Sequence, residues 1–144
     1  MRKLQAALVL FGFVFGITAQ AQVPNIPEFR QVVDGIYRGG RPGIEGINAL
    51  ARLGIKTVIN IDNDARVART EERETTRLGM RWISKPMSAF SSPSDSQVDE
   101  LLAFLQDDSL FPIFLHCKHG QDRTGMVFGL YRVLFQQWTA KQAY

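Results

Sequence analysis

Cysteine is nearly absent: Cys117 is the only one in 144 residues. No intramolecular disulfide can form, so this thiol is either buried filler or a reactive group. Histidine is as sparse, with His116 and His119 alone. A tetrahedral metal site needs four ligands, and no second cysteine completes one. Neighbouring side chains on a strand point to opposite faces, so His116 and Cys117 cannot readily share an ion. No metal and no cofactor is expected. A strong excess of one charge is also missing, since 17 Lys and Arg face 14 Asp and Glu. That balance excludes a nucleic-acid footprint. There is no internal repeat or low-complexity segment. With 45% hydrophobic and 22% charged residues, the chain is neither disordered nor collagen-like. Its length fits one compact unit with a single core.

A long unbroken apolar run is lacking too. Residues 6–17 carry no charge, but Gly12 and Gly16 interrupt them, and the stretch is shorter than the roughly 20 residues that span a bilayer. Arg2 and Lys3 precede it and Ala19-Gln20-Ala21 follows, so residues 1–21 read as a cleaved export signal, not a retained anchor. Cleavage removes two basic side chains and no acidic one, leaving a mature charge of about +1, still too balanced for a polyanion partner. No cysteine lies near the cleavage site to carry a lipid. The expected product is an exported domain of residues 22–144, periplasmic or secreted, with no stable membrane span.

Within that domain the pattern alternates. Residues 22–29, with Pro24 and Pro27, form an irregular lead-in. Residues 32–38 are rich in β-branched and aromatic side chains, a short strand pair or hairpin arm, and residues 39–43 form a glycine-rich turn. Ile44, Ile47, Leu50, Ala51 and Leu53 recur at helical spacing before Gly54. Residues 56–61 read as a buried parallel strand, residues 66–78 as a polar helix stopped by Gly79, and residues 81–87 as another strand. After a loop at 88–92, Ser92 is expected to cap a helix with Pro93 at its first position and Asp95 three residues on. Val98, Leu101, Leu102 and Leu105 give that helix its apolar face. Residues 111–116 form a strand after the Asp107-Asp108-Ser109 break, residues 124–135 an apolar helix, and Thr139 with Gln142 a capping box opening a last helix over 139–144. The expectation is an α/β fold: a mostly parallel sheet of about four strands, flanked by helices through right-handed crossovers. The chain ends inside its last expected helix, the pattern of a fragment, and a missing final helix would leave one sheet face partly bare.

One stretch stands apart: His116-Cys117-Lys118-His119-Gly120-Gln121-Asp122-Arg123-Thr124-Gly125. It joins a buried strand to an apolar helix at the carboxyl end of the strand, where open α/β sheets place their ligands. A loop of this length curls the backbone so that successive N–H groups point inward. Such a nest, closed by a helix N-terminus, suits phosphate. Arg123 can grip two phosphate oxygens with its planar fork. The same positive field lowers the pKa of Cys117 and makes it a nucleophile.

The stretch resembles the signature loop, His-Cys-x5-Arg-Ser/Thr, of the cysteine-dependent phosphatases of the protein tyrosine and dual-specificity superfamily. Upstream, GIYRGGRPG and GINALARLGIKTVINI are similar to the first half of compact bacterial and fungal dual-specificity-like members, so the resemblance spans nearly all of the mature chain. It implies attack of Cys117 on a phosphomonoester and hydrolysis of the resulting phosphocysteine. It also implies that Arg123 and the amides of Lys118, His119, Gly120, Gln121 and Asp122 hold the phosphoryl oxygens. Thr124 would assist the departing sulfur, His116 would set the position of the cysteine, and no metal would be required.

The leaving oxygen needs a general acid. Tyrosine-specific members carry it as the aspartate of a Trp-Pro-Asp loop, and this chain has no acidic residue between Trp82 and Ser94. Asp122 and Asp95 remain. Asp122 is favoured because it lies inside the signature loop, and an Asp-Arg-Thr ending resembles the lipid and inositide phosphatases of the superfamily. Asp95 suits helix capping. Lys118 and His119 add positive charge beside the nucleophile, which favours substrates bearing several phosphates. Arg66, Arg69, Arg73, Arg77 and Arg81, interleaved with Glu71, Glu72 and Glu74, read as a solvated, ion-paired face. Arg38 and Arg41 read as structural. The substrate expected by default is a phosphorylated protein. An inositol phosphate or phosphoinositide is the alternative enzyme reading, and an inactive phosphate-binding module the non-enzymatic one.

Overall fold

The computed structural model describes Val23 and residues 25–143. The expected export signal at residues 1–21 and the end of the last expected helix at Tyr144 lie outside the described residues. Five strands form one sheet: β1 (Arg30–Val33), β2 (Ile36–Gly39), β3 (Thr57–Asn60), β4 (Arg81–Ser84) and β5 (Ile113–His116). Their order is β1-β2-β5-β3-β4. Every pairing is parallel except the antiparallel β1–β2 hairpin. The hairpin supplies the strand beyond the four expected. Val33 pairs with Ile36, leaving Asp34-Gly35 as a two-residue turn with Gly35 at φ 75°, a conformation glycine adopts without strain.

Helices α1 (Gly43–Arg52), α2 (Ala65–Arg77), α3 (Asp95–Phe104), α4 (Asp122–Phe135) and α5 (Ala140–Ala143) connect and flank the strands, with a 3-10 turn at Asp108–Leu110. Central β3 and β5 are buried at every position, as the unbroken apolar runs of parallel strands require. Alternation along β5 feeds two cores. Ile113, Leu115 and Cys117 pack with Leu101, Leu105, Val127 and Phe128 from α3 and α4. Phe114 packs on the opposite side with Ile47, Leu50 and Val58, and stacks on His116 at a centroid distance of 5.4 Å. His116 and Cys117 therefore face opposite layers.

Three local expectations change. The cap of α3 is Ser94, not Ser92: Ser94 Oγ accepts from the Gln97 N–H at 3.3 Å, and Gln97 Oε1 accepts from the Ser94 N–H at 3.2 Å. That reciprocal pair satisfies two donors where Ser92 would satisfy one. Pro93 thus precedes the cap and Asp95 opens the helix. The strand expected over 81–87 ends at Ser84, although the Lys85 and Met87 N–H groups still donate to the Asn60 and Ile61 oxygens at 2.9 and 3.1 Å. Helix α4 begins at Asp122, two residues earlier than its apolar pattern, which draws Asp122 and Arg123 into its first turn. The capping box of Thr139 and Gln142 is present, with the Gln142 N–H donating to Thr139 Oγ1 at 3.3 Å and the Thr139 N–H to Gln142 Oε1 at 2.9 Å.

Candidate active site

Cys117 sits just past β5 and is 2% exposed. Residues 117–121 turn the chain from the strand into α4. The carbonyls of this loop are tied outward: Arg38 Nη2 donates to the Gly120 oxygen at 2.7 Å and the Arg41 N–H to the Lys118 oxygen at 3.1 Å. With carbonyls held outside, amides are left facing in. The Gly120 N–H donates to Cys117 Sγ at 3.3 Å. Gly120 has φ +77°, and a Cβ there would lie 2.5 Å from the backbone of both Gly39 and Gly40. Only glycine fits so close an approach. The glycine turn after β2 is therefore the floor against which the loop is pressed.

The sulfur is held below the ordinary thiol range. Burial alone pushes it up, but the Thr124 hydroxyl and the amides of Thr124, Gly120 and His119 together outweigh that cost. Thr124 Oγ1 is itself buried, with no hydrogen-bond partner among the described residues. A neutral thiol is a poor acceptor, so ionisation of Cys117 is what would complete that bond. Arg38 adds a nearby cation. Burial lowers its pKa, as do Arg132 and Arg30, and its attraction to Cys117 partly offsets this.

Arg123 is directed by three groups. Its Nη1 donates to Asn63 Oδ1 at 3.1 Å and to the Met87 oxygen at 3.0 Å, and its Nη2 lies 3.5 Å from Asp62 Oδ1. Nε has no hydrogen-bond partner among the described residues. The Nε and Nη2 edge is thus left for a bidentate anion. Asp62 is 4% exposed and is braced by Arg41, whose Nε donates to its Oδ2 at 2.9 Å and whose Nη2 pairs with the same oxygen.

The structure therefore brings together Cys117, Gly120, Arg123 and Thr124, with His116 directly beneath. Lys118, His119, Gln121 and Asp122 line the outer, exposed side of the loop. Asp95 is exposed at the start of α3 and makes no hydrogen bond or ion pair with the loop. Arg38 and Arg41 are structural as expected, but they support the loop itself. Five exposed arginines mark one face of α2 and its exit. Arg73 and Arg77 pair with Glu74 and hold its carboxyl below the usual range, a solvated face as expected. Glu71 breaks that expectation, being 3% exposed and bonded to His116. Asp62, Asn63 and Glu71 were not expected at the site. For the first two a signal existed: polar residues directly after a buried strand, at the ligand-bearing end of an α/β sheet.

A family model described as "DSP-PTPase phosphatase fused to NAD+ Kinase" matches residues 22–143. The chain belongs to this DSP-PTPase family. A dual specificity protein phosphatase, TpbA of Pseudomonas aeruginosa, is 29% identical over 155 residues, covering 98% of this chain and 68% of that protein. The crystal structure of P. aeruginosa TpbA matches with a TM-score of 0.72 and 30% identity, over 86% of this chain and 73% of that one. Inositol diphosphatase DSP3 of Arabidopsis thaliana is 29% identical over 76% of this chain and 55% of its own length. The catalytic core of Siw14 superposes with a TM-score of 0.74 at 24% identity, over 85% of this chain and 74% of that one, a likeness of fold. This chain is thus a DSP-type phosphatase that hydrolyses phosphoesters with a catalytic cysteine, and Cys117 is the only cysteine it has.

Proposed function

We propose that Cys117 is the nucleophile of a two-step hydrolysis of phosphomonoesters. Its thiolate attacks phosphorus, forming the S–P bond as the bond to the leaving oxygen breaks, and Asp122 gives that oxygen its proton. Water then attacks the phosphocysteine, the S–P bond breaks, Asp122 takes up the proton of the water, and inorganic phosphate leaves. Arg123 and the inward amides hold the three equatorial oxygens, whose charge shifts during transfer, so they bind the transition state better than the ester. The Thr124 hydroxyl stabilises the sulfur when it departs in the second step. The observation that carries this reading is the convergence of the Gly120 amide and the Thr124 group on a buried sulfur. Asp122 is preferred to Asp95 as the acid because it lies in the loop. Asp62 is unsuited because its oxygens are taken by Arg41 and Arg123.

The substrate proposed is a phosphorylated protein. TpbA is called a dual specificity protein phosphatase, and a cysteine-to-serine variant of TpbA has been crystallised in complex with phosphotyrosine. A second reading, an inositol phosphate, is favoured by the exposed Lys118 and His119 beside the nucleophile and by the inositol diphosphatases among the relatives. Phosphate release from a phosphotyrosine peptide and from inositol polyphosphates separates the two, and a clear preference for the second overturns the first. Cys117→Ser must abolish both activities, and a chelator must leave them intact. Asp122→Asn must slow a poor leaving group more than an activated one, and equal, intact rates in Asp122→Asn and Asp95→Asn would defeat the assignment of the acid. Export to the periplasm is proposed from residues 1–21 alone. A mature N-terminus at Gln22 in a periplasmic fraction would support it, and an intact Met1 would refute it.

A further inference from the structure

Beneath the loop lies a buried pair, Glu71 and His116. Glu71 reaches inward from α2 and its Oε1 meets three nitrogens: Asn60 Nδ2 at 3.1 Å, Trp82 Nε1 at 3.1 Å and His116 Nε2 at 2.8 Å. The indole N–H can only donate. The orientation of the Asn60 amide is fixed too, because its Oδ1 accepts from the Asp62 N–H at 2.6 Å, which leaves its NH2 facing Glu71. Oε1 therefore receives protons from two sides, and the proton of the 2.8 Å contact belongs to His116 Nε2. On the other side of the ring, Nδ1 lies 3.2 Å from the Cys117 carbonyl oxygen, which can only accept. Both ring nitrogens face acceptors, and a neutral imidazole carries one proton, not two.

We propose that Glu71 is a positioning residue that keeps His116 doubly protonated, setting a buried positive charge one residue from Cys117 that favours its thiolate. The inference rests on Cys117 being the nucleophile. Packing alone does not call for a carboxylate here, since a glutamine oxygen would accept from the same three donors without a buried charge. Only the carboxylate holds the second proton on the ring. Glu71 Oε2 is buried with no partner among the described residues, a cost that a purely structural contact would not need. The charged group facing His116 is Glu71 from α2, and Cys117 meets the ring through its backbone carbonyl. The ring's other neighbours are Phe114, stacked at an interplanar angle of 15°, and the neutral Asn60 and Trp82. Cys117 also feels Arg38 from β2, whose charge is the same in the wild type and in a Glu71 variant. Glu71 meets the ring at Nε2 while Nδ1 meets the Cys117 carbonyl, so the positive end of the pair is the one next to Cys117 along the chain.

The test is nitrogen NMR of the histidine rings in the full chain, joined to the pH dependence of Cys117 alkylation. At pH 7.5, about one unit above the ordinary histidine midpoint, His116 should show two protonated nitrogens. In Glu71→Gln the His116 ring should become neutral. The midpoint of alkylation should then rise by about one pH unit, a loss of about tenfold in thiolate below it. A singly protonated His116 in the wild type overturns the proposal, as does an unmoved midpoint in a folded Glu71→Gln. Should that variant fail to fold, the wild-type ring spectrum decides alone. Neither readout uses turnover, so failure here leaves the phosphatase reading standing, and Cys117→Ser tests that reading separately.

Discussion

Replacing Gly120 by alanine should damage the site through the backbone without removing a single functional side chain. Two costs add. An L-residue at φ +77° loses about 1–2 kcal/mol in the left-handed region. The new Cβ would lie 2.5 Å from Gly39 C and Gly40 N. Both are backbone atoms, so no side chain can swing aside, and overpacking of this kind costs about 1–3 kcal/mol more. The expected loss is about 2–5 kcal/mol, a large share of a typical domain stability of about 5–15 kcal/mol. Gly54→Ala is the control: φ there is +84°, with nothing within 4 Å of the added atom. It carries the backbone cost alone. The smaller entropy of the unfolded alanine chain favours both variants equally and cancels in their difference. Urea midpoints of the two variants, read at equal m-values, should therefore differ by about 1–3 kcal/mol. If the loop shifts instead, the Gly120 N–H leaves the sulfur and turnover falls by at least about tenfold, the equivalent of one hydrogen bond of about 1.4 kcal/mol. Equal losses in Gly120→Ala and Gly54→Ala, with full activity in the first, would refute the claim that the glycine floor shapes the loop.

Arg123→Lys keeps the charge but not the fork, so kcat/KM should fall by about a hundred- to a thousandfold, and a loss below tenfold would mean that no bidentate grip exists. Asp62→Asn removes the charge bracing Arg41 and Arg123. It should cost about 2 kcal/mol of stability, less than the roughly 3–5 kcal/mol of a fully buried broken pair because Arg41 keeps contact with water, and should raise KM. An unchanged KM would show that Asn63 and Met87 orient Arg123 unaided. Thr124→Val should slow hydrolysis of the phosphocysteine, so a burst of alcohol release before steady state should grow. Its absence would remove Thr124 from the second step.

What the sequence made legible was contiguous. His116 to Gly125 lie in one run, and strand, loop and helix follow one another there, so the nest and its charge could be read directly. The alternation of strands and helices fixed the layers for the same reason. Contacts made across the fold were hidden. Glu71 stands among Glu72, Glu74 and four arginines on a helix whose composition reads as solvated throughout. Its partner His116 is 45 residues away, and although Glu71 shares the inner face of α2 with Thr75, opposite the arginines, that face is too polar to read as core. Asp62 and Asn63 just past β3 look like turn residues, and only the β3–β5 pairing sets them beside Arg123. The choice of Ser94 over Ser92 was legible in principle, because Gln97 stands three residues after Ser94.

The ionisation of Cys117 is the direct measure of the whole account. As the only cysteine in the chain, it can be followed by iodoacetamide labelling across pH 4–9 with no other thiol to confuse the signal. The lowered pKa predicts labelling that rises at a lower pH than a free thiol's and declines as acid protonates the sulfur. The midpoint should lie below the roughly 8.5 of a free thiol, and vanadate, which mimics the transferred phosphoryl group, should protect the site. A midpoint at or above that of a free thiol, with labelling indifferent to vanadate, would contradict it.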